Sequence, residues 1–170
     1  EALKAAWRVL IGRHSIFRTR FVWEGLDEPV QVVQRHVETP WTEKDWSKYS
    51  EPEQDKRLEE YLKKDRLKGS DLSCPCLMRL HLIKLKEKHY IFIWSGHHIL
   101  LDGWCLPILF RELKEIYLKI LKGDITDLPR APSYERYICW LQKQDKEEAR
   151  NFWRESLSGI QEPTSLGVTK

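Results

Sequence analysis

No run of apolar residues in this chain is long enough to span a bilayer, and the N-terminus lacks the charged, apolar and small-residue succession of a secretory signal. A cytoplasmic location is therefore the expectation. One-sided charge is also missing: 29 basic and 26 acidic residues leave a formal charge of +3, with acids interleaved among the lysines. That pattern gives no footprint for a phosphate backbone, so nucleic acid is not an expected partner. Cysteine is sparse, and Cys74, Cys76, Cys105 and Cys139 include no pair at zinc-ribbon or thioredoxin spacing. Cys74-Pro75-Cys76 with His81 beyond it offers no second ligand pair, so no metal site is expected. Internal repeats and low-complexity tracts are absent as well. What remains is 170 residues with 41% hydrophobic and 32% charged content, enough for one ordinary core.

Hydrophobic periodicity orders that core. Leu3, Trp7, Leu10 and Ile11 share one helical face from Glu1 to Ile11, with Gly12 as the expected stop. The helix opens without an N-cap, and Pro163 to Gly167 reads as an unfinished connection, so both ends look cut. Phe17, Thr19, Phe21 and Trp23 alternate with Arg18, Arg20 and Val22, which predicts a strand, and Val30 to Gln34 returns as its hairpin partner. Trp41 and Trp46 are expected to pin the next segment. Ser50-Glu51-Pro52-Glu53 has the form of a capping box and predicts a solvated helix to about Leu67, ended by Gly69 and lying over the sheet on a narrow stripe of Leu58, Tyr61 and Leu62.

Leu77 to Leu85 and His89 to Ser95 predict a second hairpin around Lys86-Glu87-Lys88, and Tyr90 to Trp94 reads as a strand buried on both faces. Leu109, Leu113, Ile116, Tyr117, Ile120 and Leu121 then recur at helical spacing, with Pro107 in the first turn and Gly123 as the stop. Ser133 is a candidate N-cap for a helix carrying Tyr134, Tyr137, Ile138 and Leu141. Asp145 to Glu148 repeats the capping-box pattern ahead of Phe152 and Trp153.

The chemistry concentrates at the end of the second hairpin. His97-His98-Ile99-Leu100-Leu101-Asp102-Gly103-Trp104 hangs a histidine pair, a carboxylate and a glycine from an apolar strand, within one short turn. An imidazole titrates near pH 6.5, about right to accept or orient the proton of an attacking amine. The other histidines, His14, His36, His81 and His89, are expected to serve structure or solvent.

The run His97-His98-x-x-x-Asp102-Gly103 resembles the active-site motif of chloramphenicol acetyltransferase-type enzymes and of nonribosomal peptide synthetase condensation domains. Arg13 to Phe21, Asp71-Leu72-Ser73 leading to Leu77-Met78-Arg79-Leu80, and Tyr134 to Leu141 turn the likeness towards condensation domains, in that family's order and at similar spacing. Ser70 stands where the family commonly has phenylalanine, and Cys76 where it often has proline. The resemblance implies an α/β lobe of the chloramphenicol acetyltransferase-like two-layer sandwich fold, with a mixed or antiparallel sheet flanked by helices. Residues 1–170 would form the N-terminal lobe, without its first strand and helix and without the C-terminal lobe, and inactive in isolation.

The same resemblance implies the roles. His98 would be the catalytic histidine, and Gly103 would bring its backbone amide to a reacting carbonyl. His97 would be structural, Trp104 would pack the loop, and Asp102 would form a buried salt bridge with Arg13. The activity implied is amide formation between a donor acyl or peptidyl thioester and an acceptor aminoacyl thioester. Both would be carried on phosphopantetheine arms of upstream and downstream peptidyl carrier proteins, beside an adenylation domain and with no cofactor bound by the domain itself. The motif ends in Gly103-Trp104-Cys105, and lacks the valine-serine-tryptophan ending of epimerisation domains and the two aspartates of heterocyclisation domains. A coenzyme A-dependent acyltransferase of the same fold and a non-catalytic carrier-docking lobe are the rival readings.

Overall fold

Helix α1 (Ala2–Arg13) forms because Ala6, Trp7, Leu10 and Ile11 fall on one face, and all are buried. It runs one residue past the expected stop: Gly12 and Arg13 stay helical, and extended His14 ends the element by donating its N–H to the Leu10 carbonyl at 3.1 Å. Gly12 has no positive φ and is not the terminator. The computed structural model describes residues 1–124 and 128–160 of the chain, and the expected connection at 163–167 lies outside them.

A short 3-10 turn (Ser15–Arg18) carries Ile16 and Phe17 into the core, so the first strand starts at Thr19 rather than Phe17. Strands β1 (Thr19–Val22) and β2 (Val30–Val33) pair as the predicted antiparallel hairpin, Thr19 opposite Val33 and Val22 opposite Val30. Arg18 ties this hairpin to α1, donating to the carbonyls of Ile11 at 3.2 Å and Gln34.

Strand β3 (Trp41–Asp45) is an element that periodicity missed. Thr42, Glu43, Lys44 and Asp45 are all exposed, so this edge strand is held by backbone pairing and leaves no apolar alternation to read. It runs parallel to β4 (Met78–Lys86), Trp41 opposite Leu80, and β4 pairs antiparallel with β5 (His89–Gly96). The mixed sheet therefore has the order β3-β4-β5, beside the separate β1-β2 hairpin. Because β5 is an outer strand of the described sheet, Tyr90 is exposed and Ile91 to Trp94 are half-buried; the strand is not buried on both faces as its composition suggests.

The crossover from β3 to β4 is α2 (Glu51–Lys68). Its capping box forms as predicted: Ser50 and Glu53 bond reciprocally, with Glu53 accepting from the Ser50 amide at 3.0 Å. Gly69 ends it at φ 64°. Buried Gln54 anchors its first turns, with Nε2 3.1 Å from each of the carbonyls of Trp46, Tyr49 and Leu85. Helix α3 (Cys105–Lys122) buries Leu109, Leu113 and Ile116 and stops at Gly123, in the left-handed conformation that glycine adopts without strain.

These elements give the sheet two different faces. Along β4, Met78 and Leu80 join α1 and α3 in the apolar core, while the alternate Arg79 and His81 lie under α2. On the apolar side Trp7 has its centroid 5.9 Å from that of Phe92 and 5.8 Å from that of Trp94. Aromatic pairs of this kind contribute about 0.5 to 1.5 kcal/mol beyond area burial.

Those elements belong to one compact unit, Glu1–Tyr134, and a second unit begins at Glu135. The second holds α4 (Tyr134–Gln142) from Glu135 onward, followed by α5 (Lys146–Ser156). Asp145 caps α5 by accepting from the amides of Glu147 and Glu148, each at 2.9 Å. Among the described residues no helix is long and apolar enough to cross a membrane.

Candidate active site

β5 delivers the histidine pair, and the backbone beyond it is fixed at each step. The His97 N–H donates to the Leu77 carbonyl at 2.9 Å, continuing the β4-β5 ladder by one residue. The Leu100 N–H then returns to the His97 carbonyl at 3.1 Å, and Leu100 is buried, so the turn is anchored in the core. The Ile99 amide donates to His97 Nδ1 at 3.1 Å. A backbone N–H can only donate, so Nδ1 is an acceptor and the neutral ring carries its proton on Nε2. His97 is thus a fastener of its own turn.

His98 is exposed and lines a concavity of about 220 Å³ together with Asp102, Gly103, Trp94 and Leu106. The structure therefore brings the expected histidine, carboxylate and glycine to one depression. Nothing lies within 4 Å of where a Cβ on Gly103 would sit, so a reactant meets no obstacle at that backbone.

Asp102 does not pair with Arg13. Its Oδ1 accepts from the Cys105 amide at 3.1 Å and its carbonyl from the same amide at 3.2 Å, closing the entry to α3. Hydrogen bonding from the Cys105 thiol, then from the Cys105 amide, with smaller contributions from the Trp104 amide and the charge of His98, holds its carboxyl below the usual carboxylate range. The residue is exposed. Arg13 instead donates from Nε to Glu112 Oε2 at 3.1 Å, and His14 Nε2 lies 2.6 Å from the same oxygen. Burial raises the Glu112 carboxyl, but the bonds from His14 and Arg13 outweigh it and the net shift is downward. The reason for the correction is positional: Asp102 caps the start of α3, while Glu112 lies on the stretch of that helix that meets the end of α1.

Trp104 is 87% exposed and does not pack the loop as expected. The surroundings of Cys105 disfavour its thiolate. Its bond to the Asp102 backbone lowers the thiol, but the Asp102 carboxylate and partial burial outweigh that and raise it. All four cysteines are free thiols, and among the described residues no three His, Cys, Asp or Glu side chains cluster as metal ligands.

Sequence reading missed a polar cluster under α2. Asp65 Oδ1 accepts from Arg79 Nε at 2.6 Å, and Oδ2 accepts from Arg79 Nη2 at 3.2 Å and from Ser95 Oγ at 2.5 Å. His81 Nε2 stands 3.3 Å from Oδ1 without hydrogen-bond alignment, and its Nδ1 lies 2.9 Å from the Tyr61 hydroxyl. Bonding from Arg79 holds the Asp65 carboxyl at about 2 against the effect of burial, and burial lowers the His81 imidazole despite its acidic neighbour. The signal that could have found it is the spacing of Gln54, Tyr61 and Asp65 on one stripe of α2, facing polar residues that alternate with the apolar face of β4.

The condensation domain family model matches residues 1–169. A linear gramicidin synthase protein of Brevibacillus parabrevis is 44% identical over 170 residues, which is all of this chain and 3% of that protein. Bacitracin synthase 1 of Bacillus licheniformis is 42% identical over 166 residues, or 98% of this chain and again 3% of the relative. The starter condensation domain of the rhizomide synthetase RzmA superposes with a TM-score of 0.79 at 16% identity, over 97% of this chain and 40% of that one. In a complex of the X-domain and OxyB from teicoplanin biosynthesis, the matching chain gives a TM-score of 0.78 at 26% identity, over 99% of this chain and 37% of that one. Sequence likeness along the whole chain, and a shared fold beneath the strand-borne histidine turn, lead to one conclusion: the chain belongs to the condensation domain family.

Proposed function

We propose that this chain is the histidine-bearing lobe of an amide-forming condensation domain in a nonribosomal peptide synthetase. The observation that carries the reading is the convergence of His98, Asp102 and Gly103 on one concavity at the end of β5. The donor is an acyl or peptidyl thioester and the acceptor an aminoacyl thioester, each on the phosphopantetheine arm of a carrier protein. An adenylation domain of the same assembly line supplies the activated amino acid, and the setting is cytoplasmic. Support comes from the synthetases to which the chain is similar.

In this mechanism the exposed His98 imidazole accepts or orients a proton of the attacking amine, and the Gly103 amide faces the carbonyl oxygen as negative charge develops there. The new C–N bond is kept as the thioester C–S bond breaks, and the donor's phosphopantetheine sulfur leaves as the free thiol with the proton the amine gave up. Asp102 keeps the entrance of α3 closed and so keeps Gly103 in place. Holding two tethered thioesters together contributes through effective molarities of about 10⁵ to 10⁸ M in well-oriented cases. Loss of the imidazole therefore slows the reaction by about 10²- to 10⁴-fold without abolishing it. Residues 1–170 form only part of the domain, so the chain alone is inactive.

The test is a condensation assay on the complete domain with loaded donor and acceptor carrier proteins, comparing wild type with His98→Ala by mass spectrometry of the carrier-bound product. Product that depends on His98 supports the reading. Equal product without it removes the site assignment. Carrier binding with no product from either protein favours a docking role, and product from free coenzyme A thioesters favours the stand-alone acyltransferase.

A further inference from the structure

We infer that Asp65 is a positioning residue for the His97-His98 turn, acting through Arg79 and Ser95 from the face of the sheet opposite the apolar core. The inference rests on the proposed condensation chemistry only for its effect on rate; the effect on the turn stands on geometry.

Ser95 and Arg79 are directly opposed residues of β5 and β4, and one carboxylate receives a bond from each. Asp65 therefore clamps the two strands at the last register position before Met78 and Gly96, beyond which the ladder reaches His97 by a single bond to Leu77. Arg79 is itself fixed, donating from Nη1 to the Gly69 carbonyl at 2.7 Å and from Nη2 to the Asp65 carbonyl at 3.0 Å. The guanidinium thus grips both the side chain and the backbone of α2's last turns. The Asp65 side chain is 11% exposed and that of Arg79 21%, so water competes little with these bonds.

The consequence for the site follows from the shortness of the link. A single residue separates Ser95 from His97, and that residue, Gly96, has no side chain to stiffen the path. Without the Ser95 hydroxyl bond, the strand end keeps its apolar contacts on the Trp94 side but loses its side-chain tie to α2. The turn then samples positions in which the Ile99 amide no longer meets His97 Nδ1, and the His98 ring moves with it. Displacements of about 1 Å in a positioning element can cost about 10²-fold in rate.

The decisive variant is Ser95→Ala, which removes one hydroxyl and leaves the Asp65–Arg79 pair in place, with Ser95→Thr as the conservative control. Histidine-ring nitrogen-proton correlation spectra of the chain itself report the turn independently of catalysis. Steady-state condensation by the complete domain reports the chemistry. Expected for Ser95→Ala are shifted or broadened His97 and His98 ring signals, and a kcat lower by about 10-fold with KM for both carriers unchanged. Ser95→Thr should restore both.

Unmoved ring signals in Ser95→Ala overturn the inference whatever the rate does, because a fall in rate then comes by another route. Moved signals with an unchanged kcat also overturn it, since the turn's geometry would not limit the reaction. Should wild type make no product, moved signals with rescue by Ser95→Thr still support the clamp, and the failure falls on the condensation reading alone.

Discussion

Replacing Asp65 by Asn tests whether the polar layer under α2 is held by charge. The carboxyl is lowered from 3.8 to about 2, chiefly by the Arg79 bonds. A displacement of one pH unit corresponds to about 1.4 kcal/mol, so the ionised group stabilises the fold by about 2 to 3 kcal/mol. Screening takes little from this, because the Asp65 side chain is only 11% exposed. Asn keeps an oxygen for one donor but loses the charge, so Asp65→Asn should destabilise the first compact unit by about 2 kcal/mol at neutral pH, or roughly 4 to 8 °C in Tm.

The pH dependence fixes the cause. A carboxyl with a depressed folded value contributes fully above its unfolded value of 3.8 and loses that contribution as pH falls through about 2. About half of the gap between wild type and variant should therefore remain at about pH 3. Native-state exchange of the β4 and β5 amides reads this part of the molecule alone. A gap below about 0.5 kcal/mol at neutral pH, or one still at full size near pH 3, would refute an electrostatic clamp.

Two further contrasts follow. Glu112→Ala should destabilise by about 1 to 3 kcal/mol, since it leaves Arg13 (side chain 15% exposed) without its anion, whereas exposed Asp102→Ala should cost distinctly less; paired urea unfolding curves decide, and the reverse order would reinstate an Arg13–Asp102 bridge. Gln54→Ala should cost about 1 to 3 kcal/mol by taking one donor from each of three carbonyls, with exchange rising first in the opening turns of α2; uniform exchange from α1 to α3 would argue against that local role.

The legible parts of this fold were those where packing follows periodicity. Leu109, Leu113 and Ile116 announced α3, and both hairpins and the Ser50–Glu53 cap stood where their residue types put them. β3 was illegible because its outward residues are all exposed and its stability lies in backbone bonds to β4. The histidine turn was legible as a motif, but its electrostatics were not. Glu112 lies 99 residues from Arg13, and no local spacing distinguishes it from Asp102 as a partner. Asp65 was hidden for a related reason: on a helix this rich in charge, one carboxylate turned towards the sheet looks like the others.

The unequal faces of the β3-β4-β5 sheet also bear on how such a lobe drifts and how it can be transplanted. On the side of α1 and α3, volume-conserving exchanges among Leu, Ile and Met are tolerated singly, each costing about 1.5 kcal/mol or less. Under α2 the groups satisfy one another, so a lone change at Asp65 or Arg79 strands its partners, and viable change at those two comes in sets. A chimaera that imports a foreign β5 to alter the histidine turn should therefore carry α2 and β4 with it as one block, leaving the seams at the apolar face.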